Sequence, residues 1–202
     1  SDRWLLQAVE QARQPDADTA ATDLAWALRC LADVYHCHLS DPVRAEALYR
    51  EALPLYAAHY GAQSQQIAEV HSRLGAALAV QQRYADAERQ YRTAVALQRK
   101  HLPDDLHGVT MALGQVAWLC GKQGRNGEAT EALLLALQLC EKHVARMFGS
   151  PIEVIHALDK LIAHYLQIGE YDNALKLVER VLPMQKDTLA GEFKSPCELR
   201  AY

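Results

Sequence analysis

Apolar residues in this chain return every three or four positions, in blocks separated by short polar turns, and strict alternation of the kind strands need is absent. The clearest block runs from His71 to His101, where Leu74, Gly75 and Leu78, then Tyr84, Ala87, Tyr91 and Ala94, place large and small apolar residues at helical spacing. Large side chains at i and i+4 fill an interface, and small ones let two helix axes approach. The stretch predicts two amphipathic helices joined by a tight turn, an α-hairpin.

The hairpin repeats. Ala87-Glu88 and Tyr91-Arg92-x-Ala94 recur 42 residues earlier as Ala45-Glu46 and Tyr49-Arg50-x-Ala52. Fainter copies follow 42 residues later at Ala129, Leu133 and Ala136, and 45 later again at Ala174, Val178 and Val181. In the first helix of each hairpin Leu31-Ala32, Leu74-Gly75, Val116-Ala117 and Leu161-Ile162 correspond, followed by Tyr35, Leu78, Cys120 and Tyr165. The predicted fold class is all-α, an α-α superhelix (solenoid) of stacked antiparallel helical hairpins. Its parts are a second helix of a preceding repeat (3–14), four repeats (19–60, 64–102, 105–148, 151–190) and the start of a terminal helix (195–202).

The small residue in each first helix, the turns Gln82-Arg83-Tyr84, Gly124-Arg125-Asn126 and Gly169-Glu170-Tyr171, and the Ala-rich second helices resemble tetratricopeptide repeats. The period is most similar to the kinesin-light-chain-like subclass, over roughly residues 19 to 190. Armadillo and HEAT repeats share the period, about 40 to 47 residues, but do not usually place small residues at both helix crossings. The resemblance implies a stack of A and B helices that binds peptide or protein partners. It does not carry over that family's Asn one turn into helix A, because the position reads Arg29, Ser72, Gly114 and Asp159 here.

Local signals refine the helix ends. Ser40-Asp41-Pro42 closes one helix and opens the next, with Asp41 as N-cap and Pro42 where no N–H is needed. Ser150-Pro151-Ile152-Glu153 and Ser195-Pro196-Cys197-Glu198 fit capping boxes. Pro54 and Pro183 fall inside second helices and predict bends. The insertion that lengthens one period lies in Val144 to Phe148, so that helix is expected to be the longest. Half-repeats at both ends predict weak self-association or fraying there.

Composition narrows the function classes. The 202 residues are 50% hydrophobic and 23% charged, unlike a disordered chain, and the net charge of −4 argues against a nucleic-acid binder. The longest apolar run, Ala132 to Leu137, is far short of a membrane span. Five cysteines without framework spacing, mostly on faces expected to be buried, point to a reducing, cytoplasmic compartment.

Three candidate chemistries are discounted. The glycine-rich loop Gly121 to Gly127 lacks both a preceding strand and a phosphate-loop order. Cys30, His36, Cys37 and His38 cannot all face one zinc on a single helix, so no metal is expected. His59, His101 and His143 recur at intervals of 42 at the ends of second helices, where the helix dipole favours a cation. No catalytic constellation and no cofactor site emerges, and an enzyme is not expected.

In such arrays the concave face is built from A helices and offers a groove to a partner segment. With Leu31, Leu74, Val116 and Leu161 in the core, the expected groove residues are Trp26, Arg29, Asp33 and His36; Glu69, Ser72 and Arg73; Met111, Trp118 and Lys122; and His156, Asp159 and Lys160. Gly114, one turn before Trp118, is expected to leave room beside the indole, between the shallow Ala76 and Ala163. The function this implies is a non-enzymatic scaffold binding a peptide or protein with apolar anchors and some acidic residues. The alternative is a regulatory or sensing module of a larger enzyme or transcription regulator.

Overall fold

Short helices are marginal alone, so each block of this chain is helical because an apolar stripe finds another helix to cover it. The computed structural model describes residues 20–101, 106–147 and 151–190, together with Arg3, Trp4, Leu6, Gln7 and Glu10, which are helical. Among these, regular structure is helical throughout: α1 (Ala20–Cys37), α2 (Pro42–Tyr60), α3 (Gln65–Val80), α4 (Tyr84–His101), α5 (Leu106–Lys122), α6 (Asn126–Met147), α7 (Ile152–Ile168) and α8 (Tyr171–Ala190). This is the expected all-α class of stacked hairpins. The helices fall into two compact units, Ser1–Pro103 with α1 to α4 and Asp104–Tyr202 with α5 to α8. In each unit every helix packs on the next in sequence. The short turns between them make neighbours antiparallel.

The turns follow the local chemistry. Asp41 caps α2, its carboxylate accepting the Arg44 N–H at 3.1 Å, with Pro42 opening the helix. Ser64 caps α3 by accepting the Ile67 N–H at 3.4 Å. Gly124 and Gly169 adopt positive φ, 74° and 80°, where a side chain would be strained. Both prolines lie within continuous helices, Pro54 in α2 and Pro183 in α8. At 22 residues α6 is the longest described helix, as the insertion predicted.

Three expectations need correction, and others fall outside the described residues. Pro151 immediately precedes α7 and makes no side-chain cap bond, while Ser150 is not described. His143 stands a full turn before the end of α6, so only His59 and His101 occupy final turns. Cys120 and Cys140 are buried, but Cys30 is half-buried and Cys37 is exposed because it ends α1. Most of 3–14, Phe148, and all of 195–202 with Cys197, lie outside the described residues.

Packing within a hairpin depends on small side chains. Ala45, Ala52, Ala87, Ala94 and Ala129 are fully buried, as are the larger Leu31, Leu74, Leu158 and Leu161 around them. At Gly75 a Cβ would stand 3.0 Å from the ring of Tyr91, so α3 and α4 touch closely at that point. Hydrogen bonds finish what apolar packing begins. His71 Nδ1 donates to Gln90 Oε1 at 2.7 Å, tying α3 to α4. In the second unit the Thr130 hydroxyl donates to the Asn126 carbonyl, so at 2.9 Å it accepts from His164 Nε2.

Two stability outcomes follow. Ala replacing Gly in a helix normally adds about 1 kcal/mol, which Gly121→Ala should approach because a Cβ there meets nothing within 4 Å. Gly75→Ala should instead lower the denaturation midpoint by forcing Tyr91 aside; a gain there would refute the close crossing. Burial also pushes the Tyr91 hydroxyl up to about 12 and the Cys140 thiol up to about 11. Acids that titrate later in the folded chain favour folding below their unfolded pKa values and lose that contribution as pH rises through the folded ones. Thermal stability should therefore fall between about pH 9 and 12, and Tyr91→Phe should flatten the fall.

Candidate functional site

The A helices α1, α3, α5 and α7 each turn one stripe inward and leave the other to solvent. Leu31, Leu74, Val116 and Leu161 are buried, as expected. Trp26 is 55% exposed and Trp118 46%, so neither indole belongs to the core. Met111, Lys122, His156, Asp159 and Lys160 are exposed, and Ser72 is half-buried. His36 is half-buried, with Nδ1 shielded from solvent and without a hydrogen-bond partner.

In the first unit four of the expected groove residues meet in one charged network. Asp33 on α1 accepts at Oδ1 from the Tyr49 hydroxyl of α2 at 2.5 Å and from Arg73 Nη1 of α3 at 2.9 Å. Its Oδ2 accepts from Arg29 Nη1 at 3.1 Å. Arg73 also donates to Glu69 Oε1 at 2.7 Å, and Arg29 stands 3.8 Å from the same oxygen. Arg29 Nε donates to the Tyr56 hydroxyl at 3.3 Å. Two guanidiniums and two carboxylates thus balance, and Asp33 ties three helices together.

The electrostatics agree with a settled network. Burial works against the charge on Arg73, but its hydrogen bond to Glu69 and the charge of Asp33 outweigh it, so the guanidinium holds its proton more firmly than usual. Burial, then the bond to Asp33, pushes the Tyr49 hydroxyl well up and keeps it a donor. Burial likewise raises the Cys30 thiol despite Arg29 beside it, which makes a poor nucleophile. The sequence placed Arg29, Asp33, Glu69 and Arg73 on one face without showing that they saturate one another. The tyrosines of α2 were the missing part, although the repeated Tyr49/Tyr91 position was the available signal.

The second unit's face is built differently. Lys122 Nζ lies over the Trp118 ring, 5.5 Å from its centroid, at cation–π distance. Lys160 reaches from α7 to α5, its Nζ 3.6 Å from Met111 Sδ. A Cβ on Gly114 would lie 3.3 Å from that ammonium, so Lys160 covers the position expected to give the indole room. Among the described residues neither lysine is ion-paired. These cations rest on soft, polarisable groups and remain open to a carboxylate.

A second clasp was not foreseen. Glu46 of α2 is buried and accepts from Arg83 Nη1 at 2.8 Å, from Arg50 at 2.8 Å and from Gln81 Nε2 at 2.9 Å. It joins the second helix of one hairpin to the turn of the next, and the recurring Ala-Glu pair was its trace in the sequence. No described helix is long and apolar enough to cross a membrane.

Comparison with solved structures shows the same fold. The chain is similar to BtubC (BKLC) from P. vanneervenii, with TM-score 0.77 and 16% identity over 93% of this chain and 72% of that one. A Podosopora anserina putative kinesin light chain with TPR-like repeats matches at TM-score 0.76 and 19% identity, over 96% and 88% of the two chains. A Rap protein complexed with Competence and Sporulation Factor matches at TM-score 0.62 and 17% identity, over 92% and 50%. No curated protein matches by sequence. A family model described as tetratricopeptide repeat matches residues 23–100 and 66–142, together more than half of the sequence. With that match, the repeat spacing, the hairpins and the small-residue crossings agree, and the chain belongs to the tetratricopeptide repeat family.

Proposed function

We propose that this chain is a non-catalytic interaction module that takes a peptide or protein segment against its A helices. The observation that carries this reading is the pair of exposed indoles, Trp26 on α1 and Trp118 on α5, in a chain whose core is aliphatic, alanine and tyrosine. An exposed indole on a rigid helix gives a partner a large apolar contact at little entropic cost, and tryptophan is over-represented among residues that dominate binding. The fold supports the reading, since tetratricopeptide arrays are in general scaffolds and a solved neighbour of the same fold is complexed with Competence and Sporulation Factor.

The two faces suit different parts of a partner. In the first unit Arg29, Asp33, Glu69 and Arg73 neutralise each other, with Ser72 and His36 flanking them, so Trp26 offers mainly apolar contact. In the second unit Trp118 and Met111 carry Lys122 and Lys160, with His156 and Asp159 on α7, a surface for a segment with an apolar anchor beside a carboxylate. Such a segment replaces soft contacts of the two ammoniums with charge-assisted hydrogen bonds.

Random peptides displayed against the chain should enrich segments that pair an apolar residue with Asp or Glu. Trp118→Ala should weaken the selected peptides by roughly thirtyfold, about 2 kcal/mol, while the melting temperature stays within a few degrees. Unchanged affinity would remove Trp118 from the surface, and failure to enrich any segment would count against the module itself. Asp33→Ala should do the reverse. It leaves the Tyr49 hydroxyl and two guanidiniums short of an acceptor, costing about 1–3 kcal/mol of stability in denaturant titration, with affinity per folded molecule kept.

A further inference from the structure

The outer face of α8 presents Tyr171, Leu175 and Leu182 at 67%, 58% and 57% exposure, with the half-buried Val178 between them. Positions 171, 175, 178 and 182 follow the alternating spacing of a two-helix seam. The inner face, Ala174, Val181 and Met184, is buried against the unit's own core. A stripe of large apolar side chains this regular on the exposed face of α8 is a surface shaped for another helix.

The repeat register shows what kind of helix. Residues after the matching alanines are Glu46, Glu88, Thr130 and Leu175. Glu46 is buried, holding Arg83 in the turn of the hairpin stacked upon it. Thr130 accepts from His164 of the helix stacked on α6. The equivalents of Leu182 in α4 and α6, Val95 and Leu137, are buried. At Leu175 the polar partner is gone, so the face offers nothing to the arginine of a following repeat turn and everything to an apolar stripe.

We propose that α8 is a homodimer interface, packed antiparallel on α8 of a second copy of this chain. Charge selects that occupant. With a two-fold axis near Val178, Leu175 lies opposite Leu182 of the other copy, and Asp172 opposite Lys186, twice over by symmetry. Glu179 lies near the axis with Lys176 one turn before it to offset the like charge. A partner presenting this same surface is complementary to it in shape and in charge. The proposal is independent of the A-helix face, which α8 does not share.

Sedimentation equilibrium of the full chain over a wide concentration series should show monomer passing to dimer, and no larger species, because a two-fold contact closes on itself. Hydrogen exchange should show α8 becoming protected in step. Leu175→Glu places there what two other repeats carry, so the hairpin should keep its helical circular dichroism while dimerisation weakens roughly tenfold or more. Asp172→Lys should weaken it too, and Asp172→Lys combined with Lys186→Asp should restore it. This exchange tests the interface even if Leu175→Glu disturbs the hairpin. A chain that stays monomeric with α8 open overturns the proposal. So does an α8 equally protected at every concentration, which would mean that residues 191–202 cover it, and so does a charge exchange that restores nothing.

Discussion

Everything in this fold depends on how closely two helices can approach where they cross. Alanine and glycine set that distance. Fully buried alanines mark the same register in α2, α4 and α6, and at Gly75 even a methyl group would press on the Tyr91 ring. Close approach lets the large residues on either side interdigitate at interior density, so leucines at the crossing reach complete burial without phenylalanine or tryptophan to fill gaps. Hence aromatic residues are free for other places. Tyr49 has its ring buried and its hydroxyl on a partner, while Trp26 and Trp118 stand at the surface.

Apolar contact alone would let hairpins slide, because alanine-rich faces fit in more than one register. The polar ties oppose this. Beyond the bond each takes from its own helix, Glu46 gains Arg83 and Gln81 from the next hairpin, and Asp33 gains Tyr49 and Arg73. A shifted register takes these partners from the buried Glu46 and the part-buried Asp33, which costs more than the pairing contributes in the correct one. These ties act mainly against wrong arrangements. They are unevenly distributed: in the second unit Thr130 with His164 stands where the first has the Glu–Arg pair.

The hairpins were legible because helix periodicity, small residues and turn glycines are properties of short stretches, each readable without knowing the rest. Asp41-Pro42, Gly124 and Gly169 sit where the sequence placed them for that reason. What a side chain does with its polar end was less legible. Arg29, Asp33, Glu69 and Arg73 meet in one network, but whether charges there serve a partner or one another depends on distances between helices, which spacing along one helix does not contain. Gly114 failed for a similar reason. The residue covering it, Lys160, comes from α7, and a flexible lysine stem leaves no periodic trace.

Residues that hold the fold are thus separated from residues that only cover it. The residues that hold the hairpins in register, Glu46, Asp33, Tyr49 and the small crossings, are tied to several others at once, so altering one strands the rest. Trp26 and Trp118 stand on the outer stripes of helices whose inner stripes are already packed, with Lys122 laid over Trp118 and Lys160 against Met111. Substitutions there change the surface with little change in whether the hairpin forms, since exposed positions away from polar ties contribute little to stability. Leu175 lies at the border of the two classes. At that register Glu46 holds the next hairpin through Arg83, Thr130 holds α7 through His164, and Leu175 stands exposed.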